Sequence, residues 1–205
     1  MSVLSAALAD RFPPDAMVIG VSAGGMQALE RLLPSLPAGL ALPVIVVQHL
    51  HPSEDGFLAR HLGRFCALPV AVAEDKAPVR PGTVALAPPG YHLLVERTRT
   101  FALSIDARVC FARPAIDVLF ESAARVWGER LWAVLLTGAN EDGTEGLAAV
   151  RALGGLTIAQ DPADAAYPLM PRTAIAAGVV QQVLTLEAIA RLFAMLPAGV
   201  PETVP

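Results

Sequence analysis

Two short stretches constrain the fold of this chain more than any other. Pro43-Val44-Ile45-Val46-Val47-Gln48 and Leu131-Trp132-Ala133-Val134-Leu135-Leu136 run through their centres without a polar residue. A strand with one face in water alternates apolar and polar residues. One covered on both faces does not, and unbroken β-branched runs of this length mark the interior of a parallel sheet. Parallel neighbours in turn require crossover connections, usually helices. The patterning supplies them. Helices are expected over Gly24–Leu33, Ser53–Phe65, Pro114–Trp127, Thr144–Leu153, Arg172–Ala177 and Thr185–Leu196, with a further short one over Val3–Asp10. Ser53 is the expected N-cap of the second, with Glu54 and Asp55 favouring its positive end. Pro114 is placed in a first turn, where its missing N–H costs nothing.

Further strands are expected at Ala16–Val21, Pro69–Ala73, Thr83–Ala87, Leu156–Gln160 and Val179–Leu184. Tyr91–Glu96 and Phe101–Ile105 flank a polar Arg97–Thr100 turn and predict an antiparallel hairpin at one edge of the sheet. Asp161–Pro171 reads as a long irregular loop. The fold class is therefore α/β: a doubly wound, mostly parallel sheet with helices on both faces and an antiparallel edge hairpin. Residues 1–15 are expected to form an N-terminal extension, 16–196 one domain and 197–205 a C-terminal tail. With 54% hydrophobic and 17% charged residues in 205, one well-buried core is the natural outcome.

Composition also excludes function classes. The net charge is −4 and no block of Lys or Arg occurs, so nucleic acid is not an expected partner. No apolar run is long enough to span a bilayer, and the amino terminus lacks a signal-peptide pattern, which leaves a cytoplasmic location. Cys66 and Cys110 fit neither a disulfide framework nor metal-ligand spacing and read as buried thiols.

Functional groups in such a sheet gather at the carboxyl ends of the strands. The first strand ends in Gly20-Val21-Ser22-Ala23-Gly24-Gly25, a small-residue turn that opens a helix. Such a turn lifts a serine to the strand end and aims backbone N–H groups at whatever sits there. It suits a nucleophile beside an oxyanion hole, a phosphate cradle, or merely tight helix–sheet packing. The second strand ends at His49, and the turn Thr137–Gly143 carries Asp142. Serine, histidine and aspartate at like ends of parallel strands make up the set used in acyl transfer. His51 is the rival for the base. His61 reads as a solvated helix residue and His92 as a structural strand residue. Against the phosphate cradle, no Lys follows the glycines and the spacing is not Gly-x-Gly-x-x-Gly. A non-catalytic regulator or a phosphate- or nucleotide-binding domain using Gly20–Gly25 remain the alternatives.

The blocks Ile19–Gly25, Gln48-His49-Leu50-His51-Pro52 and Thr137-Gly138 through Asp142-Gly143 resemble those of CheB, the bacterial chemotaxis protein-glutamate methylesterase family. Arg113–Phe120, Ala87–His92 and Met170-Pro171 fit secondary blocks, and the resemblance runs from Val18 to Leu196. It implies a catalytic triad of Ser22, His49 and Asp142, and an oxyanion hole from the backbone N–H groups of Ala23, Gly24 and Ala139. His51 and Met170 are the implied substrate contacts. The implied reaction is hydrolysis of glutamyl methyl esters on chemoreceptors, with glutamine deamidation by the same chemistry, and without metal or cofactor. The implied partner is the cytoplasmic domain of a methylated chemoreceptor or a related methylated signalling protein. Full-length members carry an amino-terminal receiver domain that this sequence lacks, so a separate receiver protein is the regulator to look for. Ala23 stands where many members have threonine, and Ala139-Asn140 replaces a frequent Met-Gly pair. A side chain at Asn140 restricts backbone angles that glycine would allow.

Overall fold

The structure, a computed structural model, describes residues 8, 11–51, 53 and 55–198. The expected helix over Val3–Asp10, apart from Leu8, lies outside the described residues, as do Glu54 and the tail beyond Ala198. The chain forms a seven-stranded sheet and a separate two-stranded one. In chain order the elements are β1 (Ala16–Val21), α1 (Gly25–Leu32), β2 (Val44–Gln48), α2 (Phe57–Leu62), β3 (Val70–Val72) and β4 (Val84–Leu86). Then come β5 (His92–Val95), β6 (Phe101–Ser104), α3 (Ile116–Trp127), β7 (Leu131–Leu135) and α4 (Thr144–Ala152). The chain closes with β8 (Leu156–Gln160), α5 (Leu169–Ala176), β9 (Gln182–Leu184) and α6 (Leu186–Phe193).

The large sheet has the order β3-β4-β2-β1-β7-β8-β9, and every neighbouring pair is parallel. From β1 the chain moves to β2, out to β3 at the edge and back to β4 between them, then crosses to the other side of β1 for β7, β8 and β9. The direction of winding reverses between β1 and β7, where open α/β sheets leave a crevice at their carboxyl edge. The four strands β1, β2, β7 and β8 are buried throughout. Their residues alternate between two cores. Met17, Ile19, Val46 and Trp132 pack with Leu29, Leu32, Ile189 and Phe193 of α1 and α6. Val18, Ile45, Ala133 and Leu135 pack with Ile116, Phe120, Leu147 and Val150 of α3 and α4. The unbroken apolar runs follow from this double cover.

At Gly20 the start of α3 lies close against β1. A Cβ there would lie 2.3 Å from Cγ2 of Ile116. Only a residue without a side chain lets the start of α3 settle onto the strand beside the crevice.

Several expected boundaries move for local reasons. The second helix starts at Phe57 behind Gly56 (φ 83°), not at Ser53, because the left-handed Gly56 breaks the run. Pro114 follows a cis peptide bond and precedes α3 by two residues, so it is not in the first turn. The expected loop Asp161–Pro171 already contains the start of α5, with Pro171 accommodated in its first turn. The hairpin forms, but as its own sheet: β3 already covers the free edge of β4, and β5 and β6 pack on α3 through Leu93, Val95 and Phe101. Ser122 of α3 accepts a bond from the Val95 N–H at 3.1 Å. His61 is not simply solvated. Its Nε2 meets Glu30 Oε1 at 2.5 Å and its ring stacks on Phe57, because α2 leans on α1.

Candidate active site

The carboxyl ends of β1, β2 and β7 are adjacent, and each delivers one polar side chain. Ser22 follows β1 directly, and its N–H donates to Thr137 O at 3.0 Å, which ties the serine turn to the loop after β7. Gly24 turns the chain at φ 76° into α1. His49 follows β2, its N–H donating to Val21 O at 3.1 Å and carrying the β1–β2 ladder one residue past the strands. Asp142 is presented by the turn between β7 and α4, which closes with Gly143 at φ 96°.

The three side chains meet. His49 Nδ1 lies 3.0 Å from Ser22 Oγ, and His49 Nε2 lies 2.8 Å from Asp142 Oδ2. An ionised carboxylate only accepts hydrogen bonds, so Nε2 carries the proton toward Asp142 and Nδ1 is left as the acceptor facing the serine. His51 is not part of this set: its ring is exposed, with Nδ1 2.7 Å from Ser53 Oγ.

Asp142 is fully buried, and its oxygens are all engaged. Oδ2 accepts from His49 and from the Ile116 N–H (2.7 Å), and Oδ1 accepts from the Asp117 N–H (3.0 Å). Those two N–H groups begin α3, whose N-cap Ala115 supplies no side-chain cap. Asp142 therefore caps α3 from another element and gains the positive end of its dipole. Burial alone would push the Asp142 carboxyl up. The bond from His49 and the two backbone donors outweigh it and hold the group below its ordinary value. Asp117, buried beside it, moves the other way. Burial and then the charge of Asp142 push its carboxyl up to about 7, although the Gly146 N–H donates to it at 2.7 Å.

Further residues, not apparent from sequence, hold the loops in place. Gln48 Nε2 donates to Ser22 O (2.9 Å) and to His49 O (3.0 Å), clamping two of the three loops together. Thr137 Oγ1 donates to Ala23 O and accepts from the Tyr167 N–H, and Gln160 Oε1 accepts from the Thr137 N–H. The available signal was positional: Gln48 and Gln160 are polar residues at the carboxyl ends of buried central strands.

The N–H groups of Ala23, Gly24 and Ala139 meet no acceptor among the described residues. Asn140 is not among the residues with left-handed backbone, so a side chain is tolerated there. Its Oδ1 accepts from the Asp142 N–H at 3.3 Å and steadies the turn. Met170 is fully buried against Gly138, where a Cβ would meet its Sδ at 2.5 Å, and its N–H donates to Gly138 O. It shapes the turn from beneath. A Cβ on Gly24 would meet Ala166 at 3.0 Å and Tyr167 at 3.2 Å, so this side of the turn is already covered and poorly suited to cradle a phosphate.

Cys110, Asp117 and Asp142 bring ligand-type atoms within 4.8 Å of one another. The carboxylates are already committed to His49 and to backbone donors, a poor fit for a cation. Burial and the neighbouring acids push the half-buried Cys110 thiol up to about 11, so it is a weak nucleophile beside Ser22. Among the described residues no helix is long and apolar enough to cross a membrane.

Known proteins share this arrangement of sequence and fold. The family model described as CheB methylesterase matches residues 17–193. A relative from Leptospira interrogans, provisionally named protein-glutamate methylesterase/protein-glutamine glutaminase, is 48% identical over 182 residues, covering 89% of this chain and 94% of its own. The protein-glutamate methylesterase/protein-glutamine glutaminase of Symbiobacterium thermophilum is 43% identical over 181 residues, 88% of this chain but 50% of its own. The chain thus spans nearly all of one relative and half of the other. The crystal structure of the Thermotoga maritima CheB methylesterase catalytic domain superposes with a TM-score of 0.85 at 34% identity, covering 90% of this chain and 99% of that one.

Proposed function

This chain belongs to the CheB methylesterase family, and on that premise we propose that it hydrolyses glutamyl γ-methyl esters with Ser22 as nucleophile, His49 as base and Asp142 as the supporting acid. The observation that carries the proposal is the imidazole of His49 bridging Ser22 Oγ and Asp142 Oδ2. As Ser22 Oγ attacks the ester carbonyl, His49 Nδ1 takes its proton, and the buried Asp142 carboxylate stabilises the resulting imidazolium. The N–H groups of Ala23, Gly24 and Ala139 stabilise the oxyanion, where one donor is worth roughly 10²–10³ in rate. His49 returns the proton to the departing methoxide, and methanol leaves. Water, deprotonated by the same nitrogen, then frees the γ-carboxylate and restores the serine. A glutamine side chain follows the same course with ammonia as the leaving group.

The substrate is the cytoplasmic domain of a methylated chemoreceptor or a related methylated signalling protein. The test is methanol release from methylated chemoreceptor by wild type and Ser22→Ala. Loss of release with folding retained supports the assignment. Undiminished release by the variant removes it.

A further inference from the structure

The loop between β6 and α3 ends in a turn that none of these steps uses. Val109 and Ala112 exchange N–H···O bonds in both directions (3.2 and 2.8 Å), making Cys110 and Phe111 the central pair of a tight two-residue turn. Both have positive φ, 47° and 63°. Turns of this hand favour Asn and Gly, because a Cβ is disfavoured there. Phe111 also leaves 95% of its surface in water. A strained backbone and an uncovered ring bring nothing to the isolated fold. The loop is nonetheless firmly held. Arg113 Nη1 donates to Ile105 O (2.6 Å) and Asp106 O (3.0 Å), and buried His92 donates from Nε2 to Ala107 O (3.0 Å).

The tip stands beside the triad. Cys110 Sγ lies within 4.8 Å of an Asp142 carboxylate oxygen. Phe111 shares a cleft of about 250 Å³ with Cys110, Asn140, Glu141, Leu169 and Thr173. Leu169 is half exposed, and the Thr173 hydroxyl is spent on Leu169 O, which leaves its methyl group to the cleft.

We propose that Phe111 is a specificity-determining residue: its ring and the Leu169 side chain receive an apolar side chain that flanks the esterified glutamate of the substrate protein. The inference rests on the esterase function proposed above. The test compares two peptides carrying a glutamyl γ-methyl ester, one flanked by leucine and one by serine, with fluorophosphonate labelling of Ser22 run alongside. Wild type should favour the leucine peptide by about tenfold or more in kcat/KM, chiefly through KM, the scale of covering one apolar side chain. Phe111→Gly relieves the backbone and removes the ring, so its preference should fall to about twofold while its Tm holds or rises. Phe111→Leu should keep part of the preference. A wild type without preference, a Phe111→Gly variant that retains it, or a Ser22 that labels while neither peptide turns over would overturn the role of Phe111. A wild type that neither labels nor hydrolyses overturns the esterase function, and this inference with it.

Discussion

Two carboxyl groups buried side by side, one held below its ordinary value and the other above it, make Asp117→Asn an informative perturbation. Asp117 begins at 3.8 in the unfolded chain and is pushed up to about 7 by burial and by Asp142. Below about pH 4 both states bind the proton and the group contributes nothing. Between about 4 and 7 the folded state keeps a proton that the unfolded state has released, so stability falls as pH rises. Above about 7 the loss is complete. A shift of about three units at 1.36 kcal/mol each sets a ceiling of ~4 kcal/mol, and residual hydration of a partly buried carboxyl brings the expected loss to about 2 kcal/mol. Asparagine removes the charge and keeps the geometry. Its oxygen still accepts from the Gly146 N–H, and its amide still donates toward Asp142, where a protonated Asp117 donates now. The depressed Asp142 carboxyl adds stability that is lost only in acid, below its ordinary range, and so stays constant across this window. Urea unfolding at pH 5, 6, 7 and 8 should therefore show Asp117→Asn gaining on wild type up to about pH 7 and holding that gain beyond. An equal or less stable variant at pH 8 would refute the account of this pair.

Four other substitutions probe the rest of the site. His49→Ala should lower ester hydrolysis by at least about 10³-fold, while His51→Ala stays within roughly threefold; the reverse order in a methanol-release assay would move the base to residue 51. Gln48→Leu strips the clamp from Ser22 O and His49 O and should reduce kcat by about tenfold, the worth of one or two hydrogen bonds, so full activity would show the clamp to be dispensable. Gly143→Ala places a Cβ at φ 96° and 2.5 Å from Leu135 Cδ1, for an expected loss of about 1–3 kcal/mol in urea unfolding together with reduced activity; an unchanged midpoint would contradict the strain.

The sequence was most informative where one local rule governs. Strands β1, β2 and β7 are each buried on both faces, so their apolar runs marked them to within a residue or so. Ser22, His49 and Asp142 stood out because strand ends are where polar residues interrupt such runs. Helix starts were less legible. Gly56 moved α2 by four residues, and Pro168 and Pro171, which read as loop, instead bracket the first turn of α5. The supporting residues could not be read locally at all. Asp117 lies on an amphipathic helix like any first-turn acid, and only the packing of α3 against β1 and α4 brings it to Asp142. Ser22, held by Gln48, and Ala23, held by Thr137, are likewise far from those partners in sequence.

The reversal of strand order has a consequence for how the machinery comes together. Alcohol and imidazole are contributed by the first fifty residues, whereas the carboxylate arrives from the opposite flank almost a hundred residues later. Neither half is an enzyme in miniature. On the mechanism proposed above, ester turnover requires β7 beside β1, so it reports on the joining of the two flanks.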